Sequence, residues 1–239
     1  MKRTVIITGG TKGLGRELAL AFGRDGYCVI AFYATDTVAA ENLQVAFTAE
    51  KINGAILQHD VTTENPAIWN HPEIQQADHL TLIHNACAPF APVPMHQLVW
   101  NDFENNFTVA VKGGWLCSQA LIRLMLKRGG GTMINILTAA IEGLPPKGFG
   151  AYAVAKHALR GLTLSLASEY APRGIRVFSA SPGFMNTPLT EQWDARLRTA
   201  IQSAAHTTVP SEAARRVLEL ANDATTPGRG ENYSLFTTS

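Results

Sequence analysis

Short apolar runs with the period of a strand alternate along this chain with stretches of helical period. TVIITG (4–9) is followed by helical spacing from Leu14 to Gly23, and YCVIAFY (27–33) by helical spacing from Val38 to Glu50. GAILQHD (54–60) and HLTLIHNA (79–86) supply two more strands, and a long helical pattern runs through QLVWNDFENNFTVAVKGGWLCSQALIRLMLKR (97–128). Then come GTMINIL (131–137), a helix from about Ala151 to Tyr170, IRVFSASPG (175–183), the helical SEAARRVLELA (211–221) and NYSLF (232–236). Strand-helix alternation of this kind predicts a parallel sheet of about seven strands covered on both faces, an α/β Rossmann-like doubly wound fold. No repeat or linker divides residues 1–239, so a single domain is expected. Ala88–Pro94, Ala139–Gly150 and Pro182–Gln192 are irregular and each follows a strand, which gathers them at the carboxyl edge where such sheets bind ligands.

Composition agrees with a substantial folded core: 46% of residues are hydrophobic and 16% charged. A formal net charge of +1 with no basic cluster argues against nucleic acid as a partner. The basic Met1-Lys2-Arg3 is followed by an apolar run too short for a signal peptide or a membrane span, so a cytoplasmic location away from membranes is expected. Cys28, Cys87 and Cys117 show no CxxC pairing and read as buried thiols, with no metal site.

Residues 8–15, TGGTKGLG, stand between the first strand and the first helix. Glycines at 9, 10, 13 and 15 permit a tight turn and close approach of a pyrophosphate, and the helix start beyond them offers free N–H groups. A merely structural turn is the alternative. Further on, Tyr152 and Lys156 in YAVAK are four residues apart and share one helix face.

With these motifs the sequence resembles the short-chain dehydrogenase/reductase family over nearly its whole length. TGxxxGxG matches that family's cofactor loop, and His59-Asp60-Val61, Asn85-Ala86, Tyr152-AVA-Lys156, and Pro182-Gly183 with Thr187 follow in family order. The resemblance implies a nicotinamide cofactor bound by Gly9, Thr11, Lys12, Gly13, Leu14, Gly15, Tyr33, Asp60, Val61, Asn85, Ala86, Tyr152, Lys156, Pro182, Gly183 and Thr187. Asp60 would accept from the adenine amino group, or would simply cap a strand end. The implied catalytic set is Tyr152 as proton donor, Lys156 as the cation that stabilises its phenolate, and Thr138 in place of the family's usual Ser. The family's helix asparagine, which commonly distorts the helix and holds a relay water, is Ala110 here. Asn105 and Asn106 read as helix-surface residues, and His84, where Asn is common, as a packed or hydrogen-bonded histidine.

NADP(H) is the expected cofactor, with NAD(H) as the alternative. The second strand is expected to end at Phe32-Tyr33 without a carboxylate, Asp36 comes three residues later, and Lys12 can meet a 2′-phosphate. Lys12 could instead be a solvated lysine, and Asp36 could swing inward. The expected reaction is reduction of a neutral, hydrophobic ketone of ketoacyl or polyketide type by NADPH. An NAD-dependent alcohol dehydrogenase and a catalytically weak NADP(H)-binding sensor or scaffold are the competing readings. Phe184 to about Ala204 resembles the family's substrate lid, and Phe90, Pro92, Met95, Leu144, Phe149, Phe184, Met185, Leu189 and Trp193 are candidate apolar walls. Relatives pair through the long helix and the Tyr-bearing helix, so a homodimer or homotetramer is implied. An acyl carrier partner would want a basic patch to which Lys127-Arg128 could contribute, although Ser168 sits where such relatives place Arg.

Overall fold

The structure, a computed structural model, describes residues 1–204 and 206–236. The first half runs β1 (Arg3–Thr8), α1 (Gly13–Arg24), β2 (Cys28–Tyr33), α2 (Thr37–Glu50), β3 (Gly54–Gln58), the one-turn α3 (Pro72–Gln75) and β4 (His79–His84). The second half runs α4 (Trp100–Phe107), α5 (Gly113–Lys127), β5 (Gly131–Ile136), α6 (Gly150–Tyr170), β6 (Ile175–Ser181), α7 (Pro188–Glu191), α8 (Ala195–Ala204), α9 (Pro210–Asn222) and β7 (Arg229–Ser234). All seven strands are parallel, in the order β3-β2-β1-β4-β5-β6-β7. The chain turns back between β1 and β4, where Ile6 is paired with Ile30 on one side and Leu82 on the other. Helices α1 and α2, which follow β1 and β2, cover one face and α5 and α6, which follow β4 and β5, the other, while α9 returns to the face of α1. The crevice opens at the strand ends Thr8 and His84.

The period of two along each strand feeds two apolar layers. Val5 and Ile7 pack with Leu18 and Phe22 of α1 and Val217 of α9, whereas Ile6 and Leu82 pack with Cys117, Leu121 and Met125 of α5 and Leu166 of α6. Phe22 and Phe178 are fully buried, and truncating either to Ala would cost roughly 3–5 kcal/mol. The helix from Trp100 to Lys127 has the length and the mean hydropathy, 1.2, of a candidate membrane span. It lies in this layer, against β4, β5 and α6.

Three features differ from the pattern read off the sequence. The long helix is interrupted by a π-helical turn at Thr108–Lys112, between α4 and α5. Asn106 is buried rather than on the helix surface, because its amide turns back to donate to the Asp102 carbonyl at 2.8 Å. The last strand starts at Arg229, ahead of NYSLF, because β7 joins β6 through a register shift between Val177 and Ser179.

Candidate active site

The loop after β1 and the first turn of α1 form one end of the site. Gly13 has φ +51°, and a Cβ there would stand 3.2 Å from Thr187 across the cleft, so glycine keeps the passage between loop and α7 open. α1 begins at Gly13 with no side-chain cap and no acidic residue in its first turn, leaving its positive end toward the loop. The Asn85 amide donates to the carbonyls of Thr8 (3.2 Å) and Gly9 (3.0 Å) and pins the turn to β4. Such a cradle fits a dinucleotide pyrophosphate.

At the outer end, the Lys12 ammonium stands 2.9 Å from the Asp36 carboxylate, which also caps α2 by accepting from the Ala39 N–H. Lys12 is therefore paired, and Asp36 has turned toward the loop. That carboxylate is held below its usual range, first by the hydrogen bond from Lys12 and then by that from Ala39.

The reactive groups gather at the other end. Lys156 is buried on α6, and its Nζ donates to the Ile136 carbonyl at the end of β5 (2.7 Å). Burial pushes its ammonium below the ordinary lysine range, with Cys87 acting in the opposite sense. Tyr152 lies one turn earlier on α6, with the Lys156 Nζ 5.8 Å from its ring centroid. Its phenol is pushed well up by burial and by Cys87, and is drawn down by hydrogen bonding with Thr138. The cation expected to offset that rise stands over the ring in this arrangement. The Thr138 hydroxyl accepts from the Ala140 N–H (3.2 Å) and keeps its own hydrogen to donate, toward Tyr152 in this arrangement.

A cleft of about 790 Å³ joins the two ends. Gly9, Lys12, Gly13 and Leu14 line it on the loop side and Asn85 and Ala86 on its floor. Thr138, Tyr152 and Lys156 line the reactive end, with Pro182, Gly183 and Thr187 opposite. Phe90, Phe149, Phe184 and Trp193 wall it together with Leu144, Met185 and Leu189, whereas Pro92 and Met95 stand outside it, packed against Gly148 and Gly150. The Trp193 Nε1–H donates to the Phe90 carbonyl at 2.7 Å.

Other predicted residues stand outside the cleft. Thr11 and Gly15 are buried in the loop and the first turn of α1, and Tyr33 is half-buried at the end of β2. Asp60 is exposed, and its carboxylate accepts from the Thr62 N–H (2.9 Å) and hydroxyl (2.8 Å), the strand-end capping role. Val61 is buried and fills the space that Gly113 leaves open. Sequence reasoning missed several lining residues. Cys87 follows Asn85-Ala86 and was read only as a small hydrophobe, while His206 and Phe236 stack at 4.5 Å between centroids and reach the cleft from the far end of the chain. Among the described residues no group of three His, Cys, Asp or Glu side chains is placed to hold a metal ion.

Fold and site together define a nicotinamide-type oxidoreductase, and comparison with known proteins agrees. The sequence profile of the short chain dehydrogenase family matches residues 3–198, and the chain belongs to that family. It is 30% identical over 200 residues, 83% of this chain and 79% of the relative, to the uncharacterized oxidoreductase YohF of Escherichia coli (strain K12). The crystal structure of acetoin dehydrogenase YohF from Salmonella typhimurium superposes with a TM-score of 0.82 at 26% identity, covering 98% of this chain and 94% of that one. A putative NAD(P)-dependent gluconate 5-dehydrogenase from Beutenbergia cavernae with bound NADP gives 0.83 at 26% identity, covering 98% and 95%.

Proposed function

We propose that this oxidoreductase reduces a neutral, hydrophobic ketone to an alcohol, with NADPH as cofactor and Tyr152 as proton donor. The observation that carries the reading is the meeting of Tyr152, Lys156 and the Thr138 hydroxyl at one end of a cleft walled by Phe90, Phe149, Phe184 and Trp193. The nicotinamide, when bound, supplies the hydride. Negative charge then develops on the ketone oxygen, and Thr138 donates a hydrogen bond to that oxygen while Tyr152 transfers its proton to it. Lys156 spends one N–H on Ile136 and has two more with which to hold ribose hydroxyls and steady the phenolate that Tyr152 becomes. The apolar walls exclude water and favour an uncharged substrate.

Lys12 supports NADPH, because its charge suits a 2′-phosphate once it exchanges Asp36 for that group. The neighbour with bound NADP is consistent with this choice. Asp36 itself favours a second reading, an NAD-dependent alcohol dehydrogenase, since a carboxylate at that end can accept from a ribose 2′-OH. Steady-state oxidation of NADPH and NADH against neutral aryl and long-chain ketones, acetoin-sized ketones and small ketoacids tests the proposal. It requires the highest kcat/KM for NADPH with a neutral apolar ketone. A preference for NADH with an anionic ketoacid would overturn it.

A further inference from the structure

His84 closes β4 directly beneath the site and is 1% exposed. Its Nδ1 lies 3.1 Å from the Thr8 hydroxyl and its Nε2 3.0 Å from the Ala110 carbonyl, inside the π-helical turn. The Thr8 oxygen already accepts from the Asn85 and Ala86 N–H groups, each at 3.0 Å. Both lone pairs of that oxygen are thus engaged, so Thr8 donates its hydrogen to Nδ1 and the imidazole carries its proton on Nε2, from which it donates to Ala110. A single chain of hydrogen bonds then runs from the cofactor floor, through β1 and β4, into the turn.

Space has been cleared for this ring. A Cβ on Gly114 would stand 3.0 Å from the His84 Cδ2, so the second glycine of VKGG is what admits the imidazole. The turn that His84 grips is the wall on which the catalytic helix leans: Ala110 packs with Leu137, Ala155 and Leu159. Ala155 and Leu159 flank Lys156 on α6, and Leu137 follows Ile136, the residue that accepts from the Lys156 ammonium. A π-turn moves carbonyls off their usual partners, and a side-chain donor is one way to hold it open. No side-chain amide is present at 110 to do so.

We propose that His84, accommodated by Gly114, is a positioning residue that holds the π-turn at Ala110 and thereby sets Lys156 against Tyr152, taking the place of a side-chain amide on the turn. The inference rests on the assignment of Tyr152 and Lys156 as the reacting pair. The charge that acts on the ring is that of Lys156 on α6, and the Cys87 thiol of the β4 loop acts on Lys156 and Tyr152 in turn.

Two arms test the proposal. In the first, ¹⁵N-labelled imidazole spectra of the intact protein should show His84 neutral, protonated on Nε2, at pH 6 and above; this arm uses no turnover. In the second, His84→Leu should lower kcat roughly tenfold and raise the pH midpoint of the Tyr152-dependent limb by about one unit, because the ammonium no longer stabilises the phenolate as well. His84→Gln, whose amide can reach the same carbonyl, should restore most of the rate, and Gly114→Ala, which crowds the ring and keeps it present, should resemble His84→Leu. A proton on Nδ1, or a His84→Leu enzyme with unchanged kcat and pH limb and only a lower Tm, would overturn the proposal. Turnover that survives Tyr152→Phe would instead overturn the assignment on which it rests.

Discussion

The Tyr152 ring lies stacked on Phe90, with centroids 4.4 Å apart and planes within 9° of parallel. Phe149 and Trp193 meet Phe90 edge-on at 5.3 and 5.1 Å. Three segments distant in sequence thus close an aromatic box around Tyr152: the loop after β4, the start of α6 and the segment after α7. The Trp193 Nε1–H fastens the lid side to the Phe90 carbonyl.

Trp193→Phe keeps an aromatic ring and removes that hydrogen bond. A net loss of about 1 kcal/mol is expected from the bond alone. The KM for bulky apolar ketones should rise several-fold while kcat changes little. Steady-state kinetics beside urea unfolding would separate the two effects.

Asp36→Asn leaves an oxygen to cap α2 but frees the Lys12 ammonium. NADPH affinity should rise, by about threefold to tenfold for a pair so close to solvent, and NADH affinity should not. Lys12→Ala should weaken NADPH selectively. Fluorescence titration of both cofactors on the three proteins reads the outcome directly.

Thr138→Val removes the donor to the developing oxyanion and should cost roughly 10²-fold in kcat. Thr138→Ser should keep most of the rate, because the hydroxyl remains and only a methyl is lost. Equal activity of the Val and Ser enzymes would remove Thr138 from the chemistry.

Burial pushes the His84 imidazole down to about 4, with the nearby Lys156 charge adding to the shift. In the unfolded chain this ring takes up its proton near 6.5, whereas in the folded protein it stays neutral until about 4. Its contribution to stability is therefore constant above about pH 6.5 and falls as the pH drops from there to 4, by about 1.4 kcal/mol per pH unit at most. His59 and His79 are also lowered by burial and act in the same sense. The difference between wild type and His84→Gln in urea midpoints across pH 4–7 isolates the share of His84.

The sheet and the motif positions were legible because each is a local pattern. Period-two apolar runs mark the strands, TGGTKGLG marks the tight turn between β1 and α1, and the spacing of Tyr152 and Lys156 needs only one helix. What escaped depends on partners far along the chain. Nothing in FTVAVKGG announces a π-turn when Ala110 offers no side-chain amide, and His84, which donates to the Ala110 carbonyl, and Gly114, which stands against its ring, meet only in the folded protein. The Lys12–Asp36 pair needs α1 and α2 side by side, and the stack of Phe90 on Tyr152 needs the β4 loop folded over α6. The capping role of Asp60 was visible as an alternative, and its own Thr62 supplies the donors.

Single-turnover oxidation of bound NADPH by a neutral apolar ketone, followed at the nicotinamide absorbance in wild type and Tyr152→Phe, is the most direct test of the central claim. Tyr152→Phe should bind NADPH with nearly unchanged affinity and lose at least about 10²-fold in the rate of the chemical step. A Tyr152→Phe enzyme that oxidises NADPH at the wild-type rate would contradict Tyr152 as the proton donor.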